Sequence, residues 1–229
     1  MRKYRLILSV LFCTVELLLG VLLHTSGGAL AAHCSYAAVW LAFLFCFLSA
    51  ERSAAYLFTQ IALLFTVAAD SILVYGYAEY TTLAMCFFSV TQLAYAARLH
   101  LTMPPSARPC HLAVRAALSV AAMGAVLIVV GKEADALALI SLFYFANLVL
   151  SAVFACIRFG ENPVLAIGLI LFVLCDIFVG FSMLGGYLPL PDTPLIGFLV
   201  SPPINMAWVF YLPSQVLLSL SLIPNKKAA

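Results

Sequence analysis

Apolar residues run in long blocks along this chain, interrupted at short intervals by glycine, proline or charge. A helix that crosses a bilayer needs about 20 mainly apolar residues. Eight blocks meet that need: 6–23, 35–50, 55–77, 82–98, 112–131, 136–157, 164–185 and 204–223. The second is short and draws on its flanks. Gly27-Gly28, Pro104-Pro105, Gly185-Gly186, Pro189, Pro191, Pro194 and Pro202-Pro203 fall between blocks, where turns belong. The connections are brief. The pattern therefore predicts an all-α polytopic membrane protein, a single integral domain over residues 1–229 with eight transmembrane helices.

Composition agrees. Hydrophobic residues make up 66% of the 229 and charged residues 9%, with a mean hydropathy of +1.15. Soluble domains carry about 45–50% apolar and about 25% charged residues, so lipid has to be the solvent here. The net charge of +2 and the lack of any basic tract exclude a nucleic-acid partner. The seven cysteines (Cys13, Cys34, Cys46, Cys86, Cys110, Cys156 and Cys175) show no C-x-x-C spacing and read as small buried apolar residues.

The basic residues orient the helices. With eight spans and a cytoplasmic N-terminus, Arg2, Lys3, Arg5, Arg52, Arg98, Arg108, Arg115, Arg158, Lys226 and Lys227 all fall inside. Only Lys132 falls outside, beside Glu133 and Asp135. The positive-inside rule thus predicts that both termini are cytoplasmic. The segment from Met1 to Arg5 followed by an apolar run, with Ala29-Leu30-Ala31 beyond, also resembles a signal peptide. The run is longer than a usual signal core and contains Glu16, which favours a retained first helix.

Against this background two residues stand out. Asp70 and Asp176 lie deep inside the third and seventh blocks, where a carboxylate costs about 2.5–3.5 kcal/mol on insertion scales. At 1.5 Å rise per residue both sit roughly 18–22 Å from the cytoplasmic edge. Glu16 lies somewhat lower in the first block, and no lysine or arginine is expected inside a span to neutralise any of the three.

Descending helices bring other polar groups to similar depth: Gln92 and Tyr95 on the fourth, Tyr144, Asn147 and Ser151 on the sixth, and Trp208, Tyr211, Gln215 and Ser219 on the eighth. Spacings of three and four put each set on one helix face. Lipid cannot satisfy such stripes, so they are expected to face one another or a wet cavity. Pro213, between Tyr211 and Gln215, removes an amide and frees the Val209 carbonyl. Any one of these polar groups could equally be interhelical glue.

The four histidines, His24, His33, His100 and His111, lie at helix ends or in loops, and none is four residues from another. A zinc site is therefore not expected, nor is a Ser-His-Asp centre or a phosphate-binding glycine loop. Acid–base work by carboxylates, without metal or cofactor, is the chemistry that remains. The aspartates occupy the third helix of each four-helix half, which leaves a parallel 4+4 repeat open.

Several short motifs extend this picture. Ala69-Asp70-Ser71-Ile72-Leu73, Gln92-Leu93-Ala94-Tyr95, Cys175-Asp176 and Tyr211…Gln215, with Leu64-Phe65 and Leu171-Phe172 ahead of the aspartates, resemble in order and spacing the YhhN family, which includes the lysoplasmalogenases. That family carries Gly-Asp, His-x-x-Tyr, Ser-Asp and Tyr…Gln at the corresponding places. Here Ala69, Gln92 and Cys175 replace the Gly, His and Ser, and Tyr36-Ala37-Ala38-Val39-Trp40 lacks the family's Lys-Pro. The resemblance implies hydrolysis of the vinyl ether of a lysoplasmalogen to a fatty aldehyde and a glycerophospho-ethanolamine or -choline.

On that reading Asp70 and Asp176 are catalytic, and Gln92, Tyr95, Asn147, Tyr211, Gln215 and Glu16 orient water or substrate. The partners are a lysophospholipid substrate and membrane lipids, and the location is the cell (cytoplasmic) membrane. The residues alone leave two rivals: a small proton-coupled carrier, and a non-catalytic lipid-binding protein whose acids only satisfy one another.

Overall fold

The computed structural model describes residues 2–49, 53–76 and 78–223. Arg52, Lys226 and Lys227, counted above for orientation, lie outside this set. The described residues form nine α-helices: α1 (Arg2–Thr25), α2 (Gly28–Ser49), α3 (Ala54–Val74), α4 (Thr81–Thr102), α5 (Arg108–Val129), α6 (Ala136–Ile157), α7 (Pro163–Leu184), α8 (Pro194–Val200) and α9 (Met206–Leu220). The protein is an all-α polytopic membrane protein. Six helices (α1, α2, α3, α5, α6 and α7) are long and apolar enough to cross a bilayer, and α9 is a shorter apolar helix.

Helix ends follow local chemistry. Ser53, Asp135, Asn162, Thr193 and Asn205 each cap a helix by accepting a backbone N–H with a side-chain oxygen. The expected second span was too short. It starts seven residues earlier, at Gly28, whose φ of 58° turns the chain directly out of α1. The third ends at Val74 rather than residue 77, because Gly76 at φ 73° closes the turn. Pro194, expected in a loop, instead opens the short helix α8 behind its Thr193 cap.

The core lies where α3, α4, α6, α7 and α9 meet, around Tyr95, Leu148, Leu169, Phe172 and Leu218. Backbones approach closely there: a Cβ on Gly168 of α7 would lie 3.1 Å from the Leu218 side chain and 3.2 Å from its backbone nitrogen. On α4 the polar positions Thr91, Gln92 and Arg98 face inward and are buried, while Leu83, Leu93 and Leu101 face outward. Helices α1 and α5 are peripheral. Phe12 of α1 stacks on Phe45 of α2, with ring centroids 4.1 Å apart.

All seven cysteines are free, and only Cys34, Cys46 and Cys175 are buried; Cys86, Cys110 and Cys156 are exposed, contrary to expectation. Arg98 and Arg115 also depart from expectation. Both are buried inside their helices rather than lying free at the edge. Arg98 donates to Thr59 Oγ1 (2.8 Å), Ser221 Oγ (2.7 Å) and the Ser221 carbonyl (3.0 Å), tying α4 to α3 and to the end of α9.

Candidate active site

At the end of the bundle opposite these arginines the helices splay around a cavity of about 1100 Å³. Its rim comes from the ends of the helices and their links, including His24, Val74, Thr81, Val130, Tyr187 and Asn205. Its walls are mainly apolar. Asp70, Tyr144, Phe172, Cys175, Asp176 and Tyr211 line it together.

The two aspartates thus share one chamber, although α3 and α7 are far apart in sequence. Asp70 is 4% exposed, and its Oδ2 accepts a hydrogen bond of 2.5 Å from the Tyr211 hydroxyl. Asp176 is partly buried, and its Oδ2 accepts from the Tyr144 hydroxyl. Both carboxyls and the Cys175 side chain open onto the same cavity. A phenol donating to a carboxylate fixes its rotamer and satisfies one oxygen without supplying a charge.

Phe172 holds the two pairs in place. Fully buried one helical turn before Asp176, it meets Tyr211 edge-on at 5.4 Å, Tyr144 at 6.5 Å and Phe88 at 6.2 Å between centroids. Edge-to-face contacts of this kind fix ring orientation as well as burying area. Trp208 packs edge-on against Tyr211 at 5.1 Å and also lines the chamber.

Of the residues expected to orient water or substrate, only Tyr211 lies in the chamber. Gln92, Tyr95, Gln215 and Glu16 are buried away from its lining, and the Gln92 and Gln215 amides, the Tyr95 hydroxyl and Glu16 Oε1 have no protein hydrogen-bond partner. Asn147 is occupied elsewhere: its Oδ1 and carbonyl accept from Arg115 Nη1, both at 3.0 Å, and its Nδ2 donates to Ser119 Oγ at 3.0 Å. Buried groups of this kind satisfy other polar atoms before they serve a substrate.

Tyr144, the partner of Asp176, is absent from the expected set. Its signal was its place on the polar stripe of the sixth block, at a depth similar to that of the aspartates. The two tyrosine–aspartate pairs are not related by a shift of four helices, since Asp70 pairs with α9 and Asp176 with α6. The site is therefore asymmetric.

Among the described residues no group of three or more His, Cys, Asp or Glu could hold a metal ion. Neither the curated proteins nor the solved structures gave a match. The profile of the YhhN family matches residues 28–222, most of the chain and every helix that lines the carboxylate chamber except α1. The protein belongs to the YhhN family.

Proposed function

We propose that this protein is a membrane-embedded hydrolase of the lysoplasmalogenase kind, a single integral domain over residues 1–229 in the cell membrane. The observation that carries this reading is the convergence of two carboxyls, each held by a tyrosine, in one apolar chamber.

The chemistry suits a vinyl ether. A protonated carboxyl delivers its proton to the alkene carbon distal to the ether oxygen, leaving an oxocarbenium ion. The second carboxyl, ionised, stabilises that cation and takes a proton from the attacking water, as paired carboxylates do in glycoside hydrolysis. The hemiacetal formed collapses to a fatty aldehyde and the glycerophospho alcohol. Tyr211 and Tyr144 each bond one oxygen of their carboxyl and so aim the other. The apolar walls take the alkyl chain, with the polar head group toward the rim. No cofactor is required.

Eight membrane spans follow from adding α4 and α9 to the six long apolar helices. Helix α4 hides its polar face in the core. Helix α9, at 15 residues, spans about 22 Å at 1.5 Å per residue and is extended by the segments at either end. Arg98, Arg108, Arg115 and Arg158 gather at one end and Lys132 lies at the other, a distribution that supports cytoplasmic termini and a chamber mouth on the opposite side.

The test is aldehyde release from a lysoplasmalogen by detergent-purified protein, with Asp70→Asn and Asp176→Asn alongside. Both variants should fold and lose activity. Full activity in both would refute the assignment. A proton-coupled carrier needs a path past Phe172, Leu169 and Leu148, which are buried in the core.

A further inference from the structure

A second polar cluster lies at the arginine-rich end and takes no part in the chemistry above. Helix α5 packs on α6 and leaves a crevice against α4. The crevice holds a cavity of about 370 Å³ whose walls include Phe58, Leu93, Leu101 and Leu112. Its surface is almost wholly apolar, and three nitrogen-bearing side chains lie just beneath it: His100 from the last turn of α4, and His111 and Arg115 from the first two turns of α5.

His111 and Arg115 are buried and His100 is half-buried, and none of the three is fully used. Arg115 is 6% exposed and His111 1%. Arg115 Nη1 serves Asn147, while Nη2 donates to Ser151 Oγ at 3.2 Å and lies 3.4 Å from His111 Nε2. Its Nε, and the Nδ1 atoms of both His111 and His100, have no protein partner. The two imidazole rings are 5.6 Å apart. Among the described residues every partner of Arg115 is neutral, so its charge is uncompensated. Arg98 differs: its guanidinium donates three hydrogen bonds to Thr59 and Ser221, covers the Tyr56 ring at 5.5 Å and faces neither cavity.

A buried guanidinium without a counter-ion is costly, and guanidinium and imidazole N–H groups together match the oxygens of a phosphate. The same guanidinium repels a metal cation from the histidine pair. The cluster also sits within two turns of the helix ends, near the depth where lipid head groups meet the hydrocarbon, and basic pockets between helices on the cytoplasmic side are a known way of holding lipid head groups.

From these observations we infer that His100, His111 and Arg115 form a phosphate-group site, occupied by the head group of a phospholipid whose first methylenes lie against Leu93, Leu101 and Leu112. It is separate from the carboxylate chamber, so its occupant is a bound lipid rather than the hydrolysed substrate, and it stands whether or not the chain is a hydrolase.

The experiment uses delipidated full-length protein in detergent. Binding is measured by native mass spectrometry and by the shift in thermal unfolding with phosphatidylglycerol, with diacylglycerol lacking the phosphate, and with inorganic phosphate. Arg115→Gln removes the charge. Because that change also disturbs Asn147 and Ser151, His100→Leu and the crevice-filling Leu112→Trp are made in parallel. Phosphatidylglycerol should bind and raise the unfolding midpoint, diacylglycerol should not, and each variant should weaken the phospholipid about tenfold or more. Stabilisation by inorganic phosphate alone, lost in the same variants, assigns the site to free phosphate. Equal binding of diacylglycerol, or unchanged affinity in His100→Leu and Leu112→Trp, overturns the inference.

Discussion

Tyr211 on α9 donates to Oδ2 of Asp70 on α3 across 141 residues of sequence, over 2.5 Å. A hydrogen bond to an ionised group is worth about 1.5–3 kcal/mol, so Tyr211→Phe should slow aldehyde release about 10- to 100-fold without abolishing it. Asp70→Asn should abolish it. Tyr144→Phe should behave like Tyr211→Phe, because it strips the same support from Asp176. Steady-state kinetics on variants with unchanged circular dichroism decide the matter; wild-type rates in both phenylalanine variants would remove the tyrosines from the mechanism.

At the far end of the bundle, Arg98 joins α4 to Thr59 on α3 and to Ser221 just beyond α9. Arg98→Ala strands several buried polar groups, each costing about 1–3 kcal/mol when left unpaired. Ser221→Ala loses only one of these bonds, since the bond to the Ser221 carbonyl persists. Thermal unfolding in detergent should rank wild type above Ser221→Ala and Ser221→Ala above Arg98→Ala, with a gap of about 1 kcal/mol or more at each step.

The linear order of apolar blocks already carried much of this architecture. The block at 136–157 coincides with α6, because Asp135 caps its start and Arg158 its end. The cost of an intramembrane carboxylate was likewise enough to single out Asp70 and Asp176. Partnership was not legible. Tyr144 and Tyr211 both sit on polar stripes at the depth of the aspartates, and the choice of Tyr144 for Asp176 depends on α6 packing beside α7. Arg115 looked like an interfacial charge because Asn147 and Ser151, more than thirty residues away, become its partners only after α5 docks on α6. Local periodicity reveals a helix's polar face but not which neighbour covers it.

Gly168 and Gly20 offer a contrast of sign. A Cβ at Gly168 would press on the Leu218 backbone at 3.2 Å, whereas at Gly20 the nearest atom is the tip of Leu212 at 3.5 Å. Gly168→Ala should push α7 from α9 and cost about 1–3 kcal/mol through overpacking. Gly20→Ala should gain about 0.5–1 kcal/mol from helix propensity. Unfolding midpoints of the two variants should move in opposite directions; because α7 carries Asp176 and α9 carries Tyr211, only Gly168→Ala should also impair turnover.

At the chamber's rim, Asp135 caps α6 by accepting from the Ala138 N–H at 2.7 Å, and both its oxygens accept from Tyr187. The Ala138 N–H first, then Tyr187, hold this carboxyl below its ordinary range. A depressed carboxyl stabilises the fold above its unfolded pKa of about 3.9 and loses that contribution as pH falls through the lower folded value. The difference in unfolding midpoint between wild type and Asp135→Ala should therefore be larger at pH 6 than at pH 3. An equal difference at both pH values would show that the cap acts without its charge.

Cysteine labelling shows the side from which the chamber is entered. His24 is exposed and lines the chamber, while Ser106 is exposed in the link between α4 and α5 at the arginine-rich end. Single cysteines are placed at these positions, His24→Cys and Ser106→Cys, after the native cysteines are replaced. Intact cells are then treated with a membrane-impermeant maleimide. His24→Cys should label without permeabilisation and Ser106→Cys only after it, because arginines concentrate on the cytoplasmic side. A long-chain lysolipid that fills the chamber should slow labelling at His24→Cys and leave Ser106→Cys unaffected. The reverse pattern would turn the bundle over, so that the carboxyls would draw their substrate from the cytoplasmic leaflet.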